Sequence, residues 1–246
     1  MQDMIDLMRS PKSQWVYRHA MSTLRGHALG AAKNTFSYIE RSHFVSSKYP
    51  SLAYFCITHA TEEAVVSLIQ TAKQTGYESD IKKFNHTVHR HKAVVTYFAQ
   101  QIGDLLTDMS FELSFSEEKD HMLFRESRSN PPAGGLLKLS AFKFLDDDGN
   151  IDHENPTMLL DEIKKDKAKT VEYIVELSKF RDRALYATDT HQPGISPESM
   201  KTQLLLHTKL TLGIIWAAIE LHKEEAPLPS IQRVLRDINE AVKRVD

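Results

Sequence analysis

Apolar residues recur every three or four positions along most of this chain, the period of a helix with one buried face. From Ser13 to about His43, the residues Trp15, Val16, Ala20, Leu24, Ala28, Ala31, Phe36 and Ile39 fall on one broad stripe and predict a first helix. A polar break, VSSKYP, follows. The next stretch, SLAYFCITHATEEAVVSLIQTAKQTG, is preceded by Pro50 and stops at Gly76 with Lys73 in its last turn. Proline suits a first helical turn, where backbone N–H groups have no intrahelical acceptor, and glycine suits the stop because it enters left-handed backbone freely. A third helix is predicted over about Ile81 to Asp108.

The period is then lost. Phe111 to Pro156 contains a PPAGG break, an Asp-Gly turn and an alternating run, LLKLSAFKF, that predicts a short strand or hairpin. This segment reads as an insertion. Helical spacing resumes at about Thr157 and runs through RDRALYA. The loop TDTHQPGISPE follows, with Ser196 placed as an N-cap and Pro197 at the first helical position. Two more helices are predicted, about Pro197 to Lys223 and about Ser230 to Arg244. The expectation is an all-α bundle of about six helices, one domain over 1–246 with an irregular, hairpin-compatible insertion at about 111–156.

Composition narrows the classes. Nine glycines and nine prolines are too few for the frequent turns of a β-sandwich. A net charge of −2 gives no global basic field, so any nucleic-acid surface must be local. One cysteine, Cys56, excludes an intrachain disulfide framework. The N-terminal stretch has Asp3 and Asp6 and no uninterrupted apolar core of a signal peptide. The apolar run from Leu210 to Ile219 is shorter than the ~20 residues that span a bilayer and reads as a buried helix. A cytoplasmic protein with no membrane contact is expected.

Phosphate-loop, GxSxG, HExxH and CxxC patterns are absent from the sequence. DDDGNID resembles a calcium loop, but with Gly149 at the sixth position the first and twelfth fall on Phe144 and Asn155, where carboxylates are needed, so a polar turn fits better. In NHTVHRHK, His86 and His89 are three apart and are expected to share a helix face; a metal there would need carboxylates from elsewhere that no feature supplies, and no metal or cofactor is expected. Glu62 and Glu63 interrupt an apolar helix, so one should face inward and take a cationic partner, for which the arginines of RDRALY are the natural candidates because guanidinium pairs bidentately with a carboxylate, either as a plain interhelix ion pair or within a site. In RDRALY, Asp182 and Arg183 lie four and three residues before Tyr186. The arginines could grip a phosphate and the tyrosine could donate to one or stack on a base; a helix end capped by cations is the alternative.

Taken together, AYFCITHATEEAVVSLI, NHTVHRHK and RDRALYATD resemble, in order and spacing, the AbiV-type abortive-infection proteins of the HEPN superfamily, over about Tyr49 to Trp216. The resemblance implies an all-α HEPN-like bundle, a homodimer with a composite cleft, and a role in bacterial antiphage defence, acting on RNA or the translation machinery, with metal-independent endoribonuclease activity as the enzymatic form. A phage-encoded activator is a partner it allows. HEPN ribonucleases pair an arginine and a polar residue with a histidine about a turn later. That pattern places Arg181 and Asp182 in the first two positions and Tyr186 in the histidine position. Counting from Arg183 reaches His191 with seven residues between, beyond the predicted helix end. Tyrosine, with an ordinary pKa near 10, is a poor base at neutral pH. Either His191 or one of His86, His89 and His91 then supplies the acid/base, or the site binds without cutting. On this reading Glu63 orients the arginine, and Arg183, His86, His89, His91 and Lys92 line the approach. A non-catalytic module docking on a phage or host protein, or a nucleotide-binding HEPN domain, are the alternatives.

Overall fold

The computed structural model describes residues 2–108, 111–126, 133–141, 171–172, 174–176 and 195–245. Helices α1 (Gln2–Arg9), α2 (Pro11–Thr23), α3 (Gly26–Val45), α4 (Pro50–Gln74), α5 (His89–Asp108), α6 (Pro197–Lys223) and α7 (Pro229–Val245) form a bundle, with a three-stranded sheet at one side. Residues 171–172 and 174–176 are also helical, and Ile174 is buried in the core. The expected all-α bundle is the fold.

The first predicted helix is two. The chain leaves α2 at Leu24 in extended backbone and enters α3 through Gly26 at φ +53°. The Arg25 guanidinium donates to the Ser22 and Leu24 carbonyls at 2.6 and 2.8 Å, satisfying acceptors at the end of α2. The apolar stripe runs on across this corner, with Leu24, at the bend, as buried as Ala20 before it and Ala28 after it. Periodicity therefore foretold burial correctly and missed the break.

α4 is the central helix, packed most extensively on α3 and α6. Its small residues allow close approach: Ala60, Ala64 and Ser67 are buried, as are Ala28, Ala31 and Ala32 of α3, and the Ser67 hydroxyl donates to the Ala28 carbonyl at 2.9 Å. Against α6 the seam is polar, with the Thr61 hydroxyl 2.9 Å from that of Thr211 and 3.0 Å from His207 Nδ1. Burial lowers the His207 pKa to about 4. By length and mean hydropathy over 18 residues, α4 and most of α6 could each cross a membrane, and more than half of each such window is buried inside the bundle.

The predicted caps hold. Pro50 opens α4, and Gly76 at φ +94° follows its end. Ser196 caps α6 by accepting from the Ser199 N–H, with Pro197 in the first turn. The amphipathic α7 buries Leu235, Ile238, Val242 and Val245 on one face. The segment after α4 holds it and the residue before it: the Tyr77 hydroxyl accepts from the Leu228 N–H at 2.7 Å, and Arg236 of α7 donates to the buried Asp80 at 2.7 Å.

The third predicted helix begins later than expected, at His89, after a short 3-10 turn, Glu78–Ile81. Asn85 is the reason: its side chain accepts from both the Thr87 N–H and hydroxyl, turning the chain before a helix can start. The described part of the insertion forms an antiparallel sheet of β1 (Phe111–Ser116), β2 (His121–Glu126) and β3 (Ala133–Leu136), in that order. Of LLKLSAFKF, residues 136–141 are described: Leu136 ends β3, and Leu139–Ala141 is a 3-10 turn. The β1–β2 turn docks on α2: Trp15 Nε1 donates to the Asp120 carbonyl, and the Asp120 carboxylate meets His19 at 2.9 Å. Asp120 itself takes φ +44°.

Candidate functional site

Glu62 and Glu63 of α4 each have a partner of their own in the fold. Glu63 accepts from the Asn34 amide on α3 at 3.0 Å. Glu62, its side chain 14% exposed, turns toward the N-terminus of α5. There Lys92 Nζ lies 2.8 Å from Oε2, and His89 Nδ1 lies 2.9 Å from both carboxylate oxygens. His59, one turn earlier on α4, adds its Nδ1 at 3.9 Å. His89 and Lys92 sit three apart in the first turn of α5, so both project from one side of the helix end onto the same acid.

The three cationic or imidazole partners differ in burial. Lys92 is 9% exposed, so its ammonium depends on Glu62 for charge compensation. The His89 ring is half exposed at 51%. A histidine whose Nδ1 donates to a fixed carboxylate has its ring plane, and therefore the direction of Nε2, set by that bond. Glu62 thus holds an imidazole at the surface in one orientation, an arrangement able to pass a proton to or from a bound molecule.

The other histidines of NHTVHRHK take different places. His91 is buried, and its Nδ1 accepts from the Asn85 N–H at 3.0 Å, which fixes the turn before α5. His86 precedes the helix and does not share a helical face with His89; its exposed ring packs edge-on against His27 at 5.4 Å. Arg181, Asp182, Arg183, Tyr186 and His191 lie outside the described residues. Among the described residues no group of three or more His, Cys, Asp or Glu is arranged to hold a metal.

Sequence reasoning did not single out His59, although its position three residues before Glu62 in THATEE was the available signal. His59 is the junction of a series of rings. Phe55 lies against it at 4.2 Å with the rings tilted by 37°, Tyr38 of α3 meets it edge-on at 5.5 Å, and His89 lies 6.3 Å away with the rings 26° apart. Arg41 lies over Tyr38 at 5.4 Å. It also acts on the buried Cys56 thiol, whose pKa is raised by burial and lowered by Arg41. A separate open depression of about 480 Å³, lined by Arg18, Glu117 and Asp120 among others, lies where α2 meets the sheet and shares no residue with this cluster.

No family model, curated protein or solved structure matches the chain.

Proposed function

We propose that the chain acts on RNA in bacterial antiphage defence, as a metal-independent endoribonuclease of the HEPN type in which His89 takes the acid/base role that Tyr186 cannot fill. The observation that carries this reading is the Glu62–His89 pair at 2.9 Å with a half-exposed ring. In the proposed reaction His89 accepts the proton of a ribose 2′-hydroxyl. The 2′-oxygen attacks the adjacent phosphorus, the P–O5′ bond breaks, and the 5′-oxygen takes a proton from water, to which the His89 imidazolium returns the one it accepted, giving a 2′,3′-cyclic phosphate and a 5′-hydroxyl. Charge developing on the phosphate oxygens is assigned, by the family resemblance, to Arg181 and Arg183; guanidinium groups suit it because they donate bidentately. The reading places the protein in the cytoplasm as a homodimer with a composite cleft.

The test is cleavage of total bacterial RNA in EDTA by wild type, His89→Ala and Arg181→Ala. His89→Ala should cut about 10²- to 10⁴-fold more slowly, the range expected for loss of a general acid/base. Cleavage by His89→Ala at the wild-type rate, or no cleavage by the folded wild type, sinks the assignment. Sedimentation giving a monomer at assay concentration removes the composite cleft.

A further inference from the structure

At the end of α3, Phe44 is the most exposed large apolar side chain of the described residues, at 86%, with Tyr49 and Leu52 about half exposed nearby in sequence. Burial of such residues is worth about 1.5–3 kcal/mol each, so leaving them in water forgoes stabilisation that a bound partner could recover.

The antiparallel register of the two helices organises this surface. Asn34 meets Glu63 and Tyr38 meets His59, so residues whose numbers sum to about 97 face one another. Arg41 and Phe44 follow Tyr38 at helical spacings of three, and Leu52 and Phe55 precede His59 at spacings of seven and four. Phe44, Arg41 and Tyr38 of α3 therefore run alongside Leu52, Phe55 and His59 of α4 as one lane, which ends at Glu62 and His89. At 1.5 Å per residue the ten steps from Phe44 to Asn34 make it about 15 Å long. Between Arg41 and Thr61 the chain has no Asp or Glu, while Arg41 and Lys48 are exposed cations, each set over a tyrosine ring; the acids Glu40, Glu62 and Glu63 lie just outside that stretch. The chain as a whole is slightly acidic, which makes the local bias the more distinct.

From the geometry we infer that this lane binds single-stranded RNA, its rings stacking on unpaired bases and Arg41 and Lys48 meeting the phosphates, and that it feeds the strand to His89. Rings interleaved with cations suit single strands, because every base offers a π-face and every linkage a negative charge, whereas a duplex hides its faces. The inference rests on the RNA reading above and names the form of RNA and the residues that grip it.

Binding separates the two. Anisotropy of a fluorescein-labelled, 2′-O-methyl single-stranded RNA of mixed sequence, which has no 2′-hydroxyl to attack, reads the lane with the intact wild-type chain. Phe44→Ala should weaken binding roughly 5- to 150-fold, the range for loss of one base-stacking ring. Arg41→Ala should weaken it too and lower the slope of log affinity against log salt by about 1, which Phe44→Ala should not. Both side chains are exposed, so circular dichroism should be unchanged. A fully paired duplex should bind more weakly than the single strand. Variants that bind like wild type overturn the lane and leave the His89 assignment to its own cleavage assay. No binding by wild type overturns the lane as well, whatever that assay shows. Preference for phosphatidylserine vesicles over RNA, lost in Phe44→Ala, overturns it in favour of a lipid surface.

Discussion

Replacing Glu62 by alanine isolates the physical role of the cluster from its chemistry. The substitution removes the carboxylate that compensates Lys92, whose side chain is 9% exposed, and the acceptor that orients His89. Breaking a fully buried ion pair from one side costs about 3–5 kcal/mol, because the remaining charge stays desolvated. Glu62 and Lys92 keep a little water contact, so the expected loss is about 2–4 kcal/mol. For a chain of this size each kcal/mol moves the melting temperature about 2–4 °C, giving a drop of roughly 5–15 °C. Lys92→Met alone leaves the carboxylate a half-exposed histidine partner and should cost less. Urea unfolding of wild type, Glu62→Leu, Lys92→Met and the double variant forms a cycle. The double variant should recover most of the loss, since apolar residues of similar size can replace a buried pair at little cost. A Glu62→Ala melting temperature within about 2 °C of wild type, with a coupling energy below about 0.5 kcal/mol, is the behaviour of an exposed surface pair and would refute the reasoning.

Three further perturbations test the frame around the site. His207 has a folded pKa of about 4, below the ordinary 6.5, so the unfolded chain binds the extra proton between those values; stability should fall as pH drops from 6.5 toward 4. Because the residue keeps some surface, about 2–3 kcal/mol of that fall should vanish in His207→Gln, followed by denaturation across pH, and a parallel pH profile in the two proteins contradicts it. Tyr77→Phe strips the Leu228 N–H of its acceptor in a buried setting and should cost about 1–2 kcal/mol in urea unfolding, with unchanged helicity. Gly76→Ala places a Cβ 3.1 Å from Pro227 Cγ in left-handed backbone, so it should destabilise by about 1–3 kcal/mol, where an alanine at a right-handed glycine would stabilise.

Helix content was legible because burial of one helical face leaves a period in the sequence. The stripe from Trp15 to Ile39 is buried throughout, and Pro50, Gly76, Ser196 and Pro197 mark ends that the structure keeps. Those features are local: a cap or a left-handed glycine is decided by a few neighbouring residues. The inward-turned glutamate was legible for the same reason, as a charge inside an apolar run. Its partners were not. Nothing within five residues of Glu62 indicates that the chain turns at Asn85 and starts α5 at His89, and that turn alone separates His86 from His89 and seats His91 in the core. The helix break at Leu24 was equally silent, since the apolar stripe carries on across the bend. The sequence thus determined which residues are buried and where most helices end, through local backbone and solvent preferences. Which polar side chains meet across α3, α4 and α5 was decided by the register between helices, a property of packed side chains far apart in the chain.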